Sequence, residues 1–144
     1  MTKIYTYLLN RPILFYRNLF WIWLCLILIG SSIPSISTPH LNIWSYEFRL
    51  DHLFHWLEYA TLIFIFVSWR FKKNPLFFKR IIWYTLLLGV VIASADEVHQ
   101  LFIPGRHFTI PDWIFNVTGI LTGILFSLYI WKKVYPRISP EEEK

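Results

Sequence analysis

Apolar residues fill this chain in four long blocks, parted by short stretches rich in charge, proline and aromatics. The blocks predict membrane helices over about 19–33, 53–69, 81–102 and 113–131, because a bilayer core asks for ~20 apolar residues per helix. The first block is short for that purpose, and Ser31, Ser32 and Pro34 loosen its end. Residues 136–144 form a polar C-terminal tail, and Glu141, Glu142 and Glu143 within it carry no evident chemistry. The pattern predicts an all-α, polytopic four-transmembrane-helix bundle in one domain.

Composition supports that class. Hydrophobic residues make up 56% of the 144, charged residues only 16%, and mean hydropathy is +0.45. A soluble domain of this length needs far more polar surface. Cys25 is the single cysteine and lies inside an apolar block, so no disulfide framework or thiolate metal site is available. The first block follows Arg17 and has no small-residue cleavage site, so it is expected to stay as a helix.

The net charge of +5 does not point to nucleic acid, since the cations flank the apolar blocks rather than line a face. Lys3, Arg11 and Arg17 precede the first block. Arg70, Lys72, Lys73, Lys79 and Arg80 separate the second from the third, and Lys132, Lys133, Arg137 and Lys144 follow the fourth. Twelve of fourteen basic residues thus fall on one side, leaving Arg49 and Arg106 on the other. Lys and Arg mark cytoplasmic loops, so both termini and the 70–80 loop are expected in the cytoplasm. Trp21, Trp23, Trp44, Trp56, Trp69, Trp83, Trp113 and Trp131 crowd the block ends, as an interfacial belt requires, with Tyr46 and Phe48 as further anchors.

The remaining ionisable groups gather at the opposite end. His40, His52, His55, His99 and His107 all fall in the outer half, with Glu47, Asp51, Glu58, Asp96, Glu97 and Asp112. Counting ~1.5 Å of rise per residue from the basic anchors puts His55 at ~22 Å and both Asp96 and Asn116 at ~24 Å. Glu58 lies deeper at ~18 Å, while Asp51 and Asp112 come near the surface at ~28–30 Å. Spacing aligns these groups on shared faces: Asp51, His55 and Tyr59; Asp96 with His99 and Gln100; Asp112, Asn116, Gly119 and Gly123. Ionisable groups at such depth turn toward a bundle interior or a wet cavity and mark functional sites.

Helix polarity sharpens the point. Asp51 and Asp112 begin their helices at the favourable positive end. Asp96 and Glu97 end theirs at the unfavourable negative one, which calls for a compensating cation, Arg106 or a histidine. Asp96, Glu97, His99, His55 and Glu58 are candidate acid/base residues. A divalent ion would suit the same groups, but no HExxH-like spacing is present and no metal ligand set is assigned. The rival reading is an interhelical hydrogen-bond network that holds the bundle together. Arg106, on a Pro-Gly turn, could clamp a phosphate or carboxylate, or instead pair with Asp96 or Asp112. Gln100, Asp51, Tyr59, Asp112 and Asn116 complete the candidate binding set. Gly119-x-x-x-Gly123 predicts close helix packing. The sequon at Asn116-Val117-Thr118 lies within a span and is discarded.

Two stretches carry a resemblance to the VanZ-like family of bacterial membrane proteins. Asp51-His52-Leu53-Phe54-His55-Trp56-Leu57-Glu58-Tyr59 is similar to its Asp-Lys-x-x-His-x-x-x-Tyr signature. Asp96-Glu97-Val98-His99-Gln100, Pro104-Gly105-Arg106, Asp112, Asn116 and Gly119 resemble its second, longer one. Residue 52 departs from the pattern, being His where Lys is usual. The resemblance implies a small helical protein of the bacterial inner membrane, in a family some of whose members are linked to low-level teicoplanin resistance. It supplies no settled reaction. The expected function is to act on, or bind, a lipid-linked or phosphate-bearing headgroup of an envelope lipid or cell-wall precursor, with membrane lipids as partners. The alternative is a non-catalytic accessory protein whose polar cluster is a recognition pocket.

Overall fold

The computed structural model describes residues 7, 10–34, 40–43, 46–74 and 78–134. Its elements are α1 (Ile13–Ser31), β1 (His40–Ile43), β2 (Tyr46–Arg49), α2 (Leu50–Lys73), α3 (Phe78–Gln100) and α4 (Ile110–Val134). All four helices are long and apolar enough to cross a membrane.

The helix ends differ from the sequence boundaries in instructive ways. α1 begins at Ile13, directly after Pro12, and so takes Arg17 into its second turn. A lone arginine near a helix end can run its aliphatic stem along the helix and keep its charge at the interface. α1 stops at Ser31, where the Ser32 hydroxyl folds back onto the Leu28 carbonyl at 2.6 Å. α3 stops at Gln100, and the chain continues through three short-range turns whose N–H groups reach back three residues to Val98, His99 and Gln100. Between α1 and α2 the chain forms a two-stranded antiparallel hairpin, His40 opposite Arg49 through Ile43 opposite Tyr46. The interfacial role expected of Trp44 and the 136–144 tail both lie outside the described residues.

α2 and α4 run parallel, and α1 and α3 run the other way. The α2–α4 pair is the spine of the bundle. A Cβ on Gly119 would fall on the Trp56 backbone carbonyl, and one on Gly123 would come within 2.6 Å of the Ala60 carbonyl. Only glycine lets two helix backbones meet so closely, so the GxxxG expectation holds. Tyr59, Leu62, Val67, Ile120 and Trp131 fill the fully enclosed core around this seam.

Four tryptophans tie helices rather than line an interface. Their indole N–H groups donate from Trp23 to the Glu58 carbonyl (3.0 Å), from Trp56 to Thr122 Oγ1 (3.2 Å), from Trp113 to Ser94 Oγ (3.1 Å) and from Trp131 to Ser68 Oγ (3.1 Å). An indole N–H in an apolar medium must find an acceptor, and a neighbouring helix supplies one. Trp21 and Trp83 do face outward, as a belt requires.

Antiparallel packing sorts the charges to two ends. At the basic end Lys72 donates to the Arg11 carbonyl, joining the start of α1 to the finish of α2. The polar end collects the finish of α1, the starts of α2 and α4, and the finish of α3 with its loop.

Candidate functional site

The loop after α3 builds one wall of the polar end. Arg106 N–H donates to the Ile103 carbonyl at 3.0 Å, closing a tight turn over Pro104 and Gly105. Gly105 has φ 77°, the left-handed conformation that this turn demands and that glycine alone adopts without strain. The turn aims Arg106 back at α1. Its Nη2 donates to the Gly30 carbonyl at 3.0 Å and its Nε to the Ile33 carbonyl at 3.2 Å. A helix leaves its last carbonyls without partners and carries partial negative charge there, so a guanidinium is well placed. Among the described residues Arg106 therefore caps α1 and makes no ion pair with Asp96 or Asp112.

Arg106 also faces a cavity of about 210 Å³, lined by Gly30, Ser31, Asp51, Phe54, His55, Glu58 and the guanidinium itself. His55 lines this cavity within electrostatic range of Asp51, Asp96, Asp112 and Arg106. Glu58, half-buried one turn further along α2, lies within reach of Asp96 and Arg106.

Behind the cavity lies an enclosed layer. Asp96 is 2% exposed, and Glu97 and Asn116 are fully buried. Asn116 Nδ2 donates to Glu97 Oε1 at 3.0 Å, joining α4 to α3. The Tyr59 hydroxyl lies close to the Asp96 carboxylate without reaching hydrogen-bond geometry. His55 Nδ1, Tyr59 Oη, both Asp96 oxygens, Glu97 Oε2, Gln100 Nε2 and Asn116 Oδ1 are all enclosed with no hydrogen-bond partner among the described residues. Buried polar atoms almost always find partners, and leaving one without costs about 1–3 kcal/mol. So many in a single layer is more than a network built only for stability would carry.

Asp112 belongs to a third, better-satisfied group at the start of α4. Thr109 precedes the helix; its hydroxyl accepts the Asp112 N–H at 3.2 Å and donates to Asp112 Oδ2 at 2.5 Å. The Thr109 hydroxyl thus caps the start of α4, and its own proton goes to the Asp112 carboxylate. Across the spine His52 Nε2 lies 3.3 Å from Asp112 Oδ1, and the His52 ring stacks on Phe115 with centroids 4.7 Å apart. Asp51 Oδ1 accepts the His52 N–H at 3.0 Å.

The structure thus brings together nine of the eleven sequence candidates, with Gln100 buried at the end of α3. His99 is half-buried at the same helix end, and its enclosed Nδ1, like the atoms above, has no hydrogen-bond partner among the described residues. Sequence reasoning did not select His52, Thr109 or Phe115 as site residues. His52 sits one residue off the Asp51–His55 stripe, so a face-by-face search passes over it, whereas Thr109-x-x-Asp112 is a readable helix-start signal.

Fold and site define a class: a four-helix membrane protein that encloses carboxylates, imidazoles and one arginine at a single end of its bundle. A family model described as VanZ/LLP1 matches residues 14–132, and the chain belongs to that family. No curated protein and no solved structure matches the chain.

Proposed function

We propose that this protein binds the phosphate-bearing headgroup of an envelope lipid or cell-wall precursor in the Arg106 cavity, and that the enclosed carboxylates move protons to or from it. The observation that carries this reading is a cation, an imidazole and two carboxylates converging on one cavity of about 210 Å³. Arg106 spends only its Nε and Nη2 on α1, and a guanidinium has five N–H donors, so others remain for an anion. Drug-sized sites run to ~300–1,000 Å³, so this cavity suits a headgroup rather than a whole precursor. Phe54 gives it an apolar lip beside which an acyl or prenyl chain could lie.

Each group has a role in this reading. Arg106 holds the phosphate and Asp51 accepts a hydroxyl or amine of the headgroup, with Gln100, Tyr59, Asp112 and Asn116 orienting the groups around it. His55 and Glu58 face it, while Asp96 and Glu97 behind them, with His99, supply or accept protons. Helix polarity and the segregation of Lys and Arg support cytoplasmic termini and an outward-facing site in the bacterial inner membrane. A site there is where an effect on teicoplanin susceptibility would originate, since glycopeptides meet precursors at the outer face.

The test incubates purified protein with a panel of envelope lipid phosphates, with and without chelator, beside Asp96→Asn and Arg106→Ala. Turnover that Asp96→Asn abolishes supports proton-transfer catalysis. Saturable binding without turnover would leave a recognition pocket, and no saturable binding sinks the proposal. Orientation is tested in a Cys25→Ala background by labelling a cysteine placed at His107; protection from an impermeant outside reagent overturns it.

A further inference from the structure

At the junction of α2 and α4, Asp51, His52 and Asp112 each bring one donor atom to within 4.8 Å of the others, and all three residues are buried. His52 Nε2 and Asp112 Oδ1 are already 3.3 Å apart. Two donors ~2.1 Å from one tetrahedral ion stand ~3.4 Å from each other, so this pair has the separation of two ligands to a single ion. Both donors are held in place. Phe115 lies flat against the His52 ring with 4° between the planes. Thr109 occupies Asp112 Oδ2 and leaves Oδ1 turned to His52. Outer partners of this kind fix the ligands of metal sites.

A second observation points the same way. His55 is one turn beyond Asp51, more than nine-tenths buried, and within electrostatic reach of Asp51 and Asp112. Its Nδ1 has no hydrogen-bond partner among the described residues, and neither has Asp112 Oδ1. Asp112 Oδ1, buried and facing His52 without a hydrogen bond, is an atom that an ion would satisfy, with the His55 imidazole beside the ligand set rather than in it.

We propose that Asp51, His52 and Asp112 bind one divalent transition-metal ion of the Zn²⁺ or Mn²⁺ kind. One imidazole nitrogen with two carboxylate oxygens suits those ions. Two negative charges offset both the ion and the positive helix ends of α2 and α4 between which it sits. Three protein ligands leave coordination open, as reactive sites do and structural ones do not. Sequence scanning had no spacing to find here, since the ligands come from two helices. The inference goes beyond headgroup binding and stands without it.

The experiment uses metal-stripped full-length protein in phosphate-free dodecyl maltoside micelles, titrated calorimetrically with Zn²⁺ or Mn²⁺ alone. One equivalent per chain is expected in the wild type. His52→Lys places an ammonium between the two acids and removes the imidazole ligand, so it separates a metal site from a plain ion pair. It is expected to lower affinity at least 100-fold while the protein stays helical by circular dichroism. Thr109→Val, which frees Asp112 Oδ2, is expected to weaken binding about 10–100-fold. A wild type that takes up no stoichiometric ion, or a His52→Lys protein that binds like wild type, overturns the proposal. Asp112→Asn adds a second ligand deletion if it folds, and His52→Lys decides if it does not. No lipid phosphate is present, so this outcome is independent of the headgroup test.

Discussion

Asn116 and Glu97 meet at 3.0 Å between α4 and α3, an amide donating to a carboxylate with both side chains wholly enclosed. Hydrogen bonds to charged groups contribute about 1.5–3 kcal/mol. Asn116→Asp removes the donor and opposes two carboxyl groups, so it is expected to cost at least that much in thermal or denaturant unfolding. Adding Glu97→Gln returns an amide donor from the other side and should recover most of the loss. Equal damage in single and double variants would mean that the pair is not coupled.

Gly119 and Gly30 make a matched test of helix contact. Alanine at 119 would drive its methyl group into the Trp56 carbonyl on α2, whereas nothing lies within 4 Å of a Cβ at 30. Overpacking costs about 1–3 kcal/mol, so Gly119→Ala should lower Tm by several degrees. Gly30→Ala should leave Tm unchanged or raise it, since alanine gains about 0.5–1 kcal/mol over glycine inside a helix. The reverse ranking would dismiss the α2–α4 seam as the spine.

Arg106 should matter for stability even where nothing is bound. Arg106→Ala deletes two charge-assisted donors from the end of α1 and is expected to destabilise the fold by about 1.5–3 kcal/mol. Arg106→Lys keeps the charge but not the planar fork, and should recover only part. A neutral Arg106→Ala in unfolding experiments would show that the α1 cap carries no energy.

Trp131 and Ser68 form an enclosed donor–acceptor pair at 3.1 Å. Trp131→Phe keeps an aromatic ring against Phe71, whose centroid lies 4.6 Å away, but leaves the serine hydroxyl alone. About 1 kcal/mol should be lost through the hydrogen bond, beyond any loss of packing volume. Ser68→Ala in the Trp131→Phe background should then cost less than Ser68→Ala alone, and strict additivity would refute the coupling.

Much of this architecture could be read from residue order. Four apolar blocks gave four helices, and ~1.5 Å of rise per residue put His55, Asp96 and Asn116 at one level, where the structure brings them together. What stayed hidden depended on groups without a sequence signature. Backbone carbonyls are identical at every position, so the seat of Arg106 on Gly30 and Ile33 could not be foreseen. Trp131 and Trp23 resemble belt residues until a serine or a carbonyl on another helix is known to lie opposite. His52 reads as a substitution off the polar stripe until Phe115 and Asp112 are seen around it.

The cap on α1 has an evolutionary corollary. Arg106 takes hold of α1 through two peptide oxygens, which any helix ending at that height would offer. The ionisable groups of the cluster all come from α2, α3, α4 and the loop before α4. Of the four helices, α1 is therefore the most interchangeable: its sequence could drift so long as it finishes under Arg106, keeps Trp23 opposite the Glu58 carbonyl and keeps small residues where Gly30 and Ser31 border the cavity.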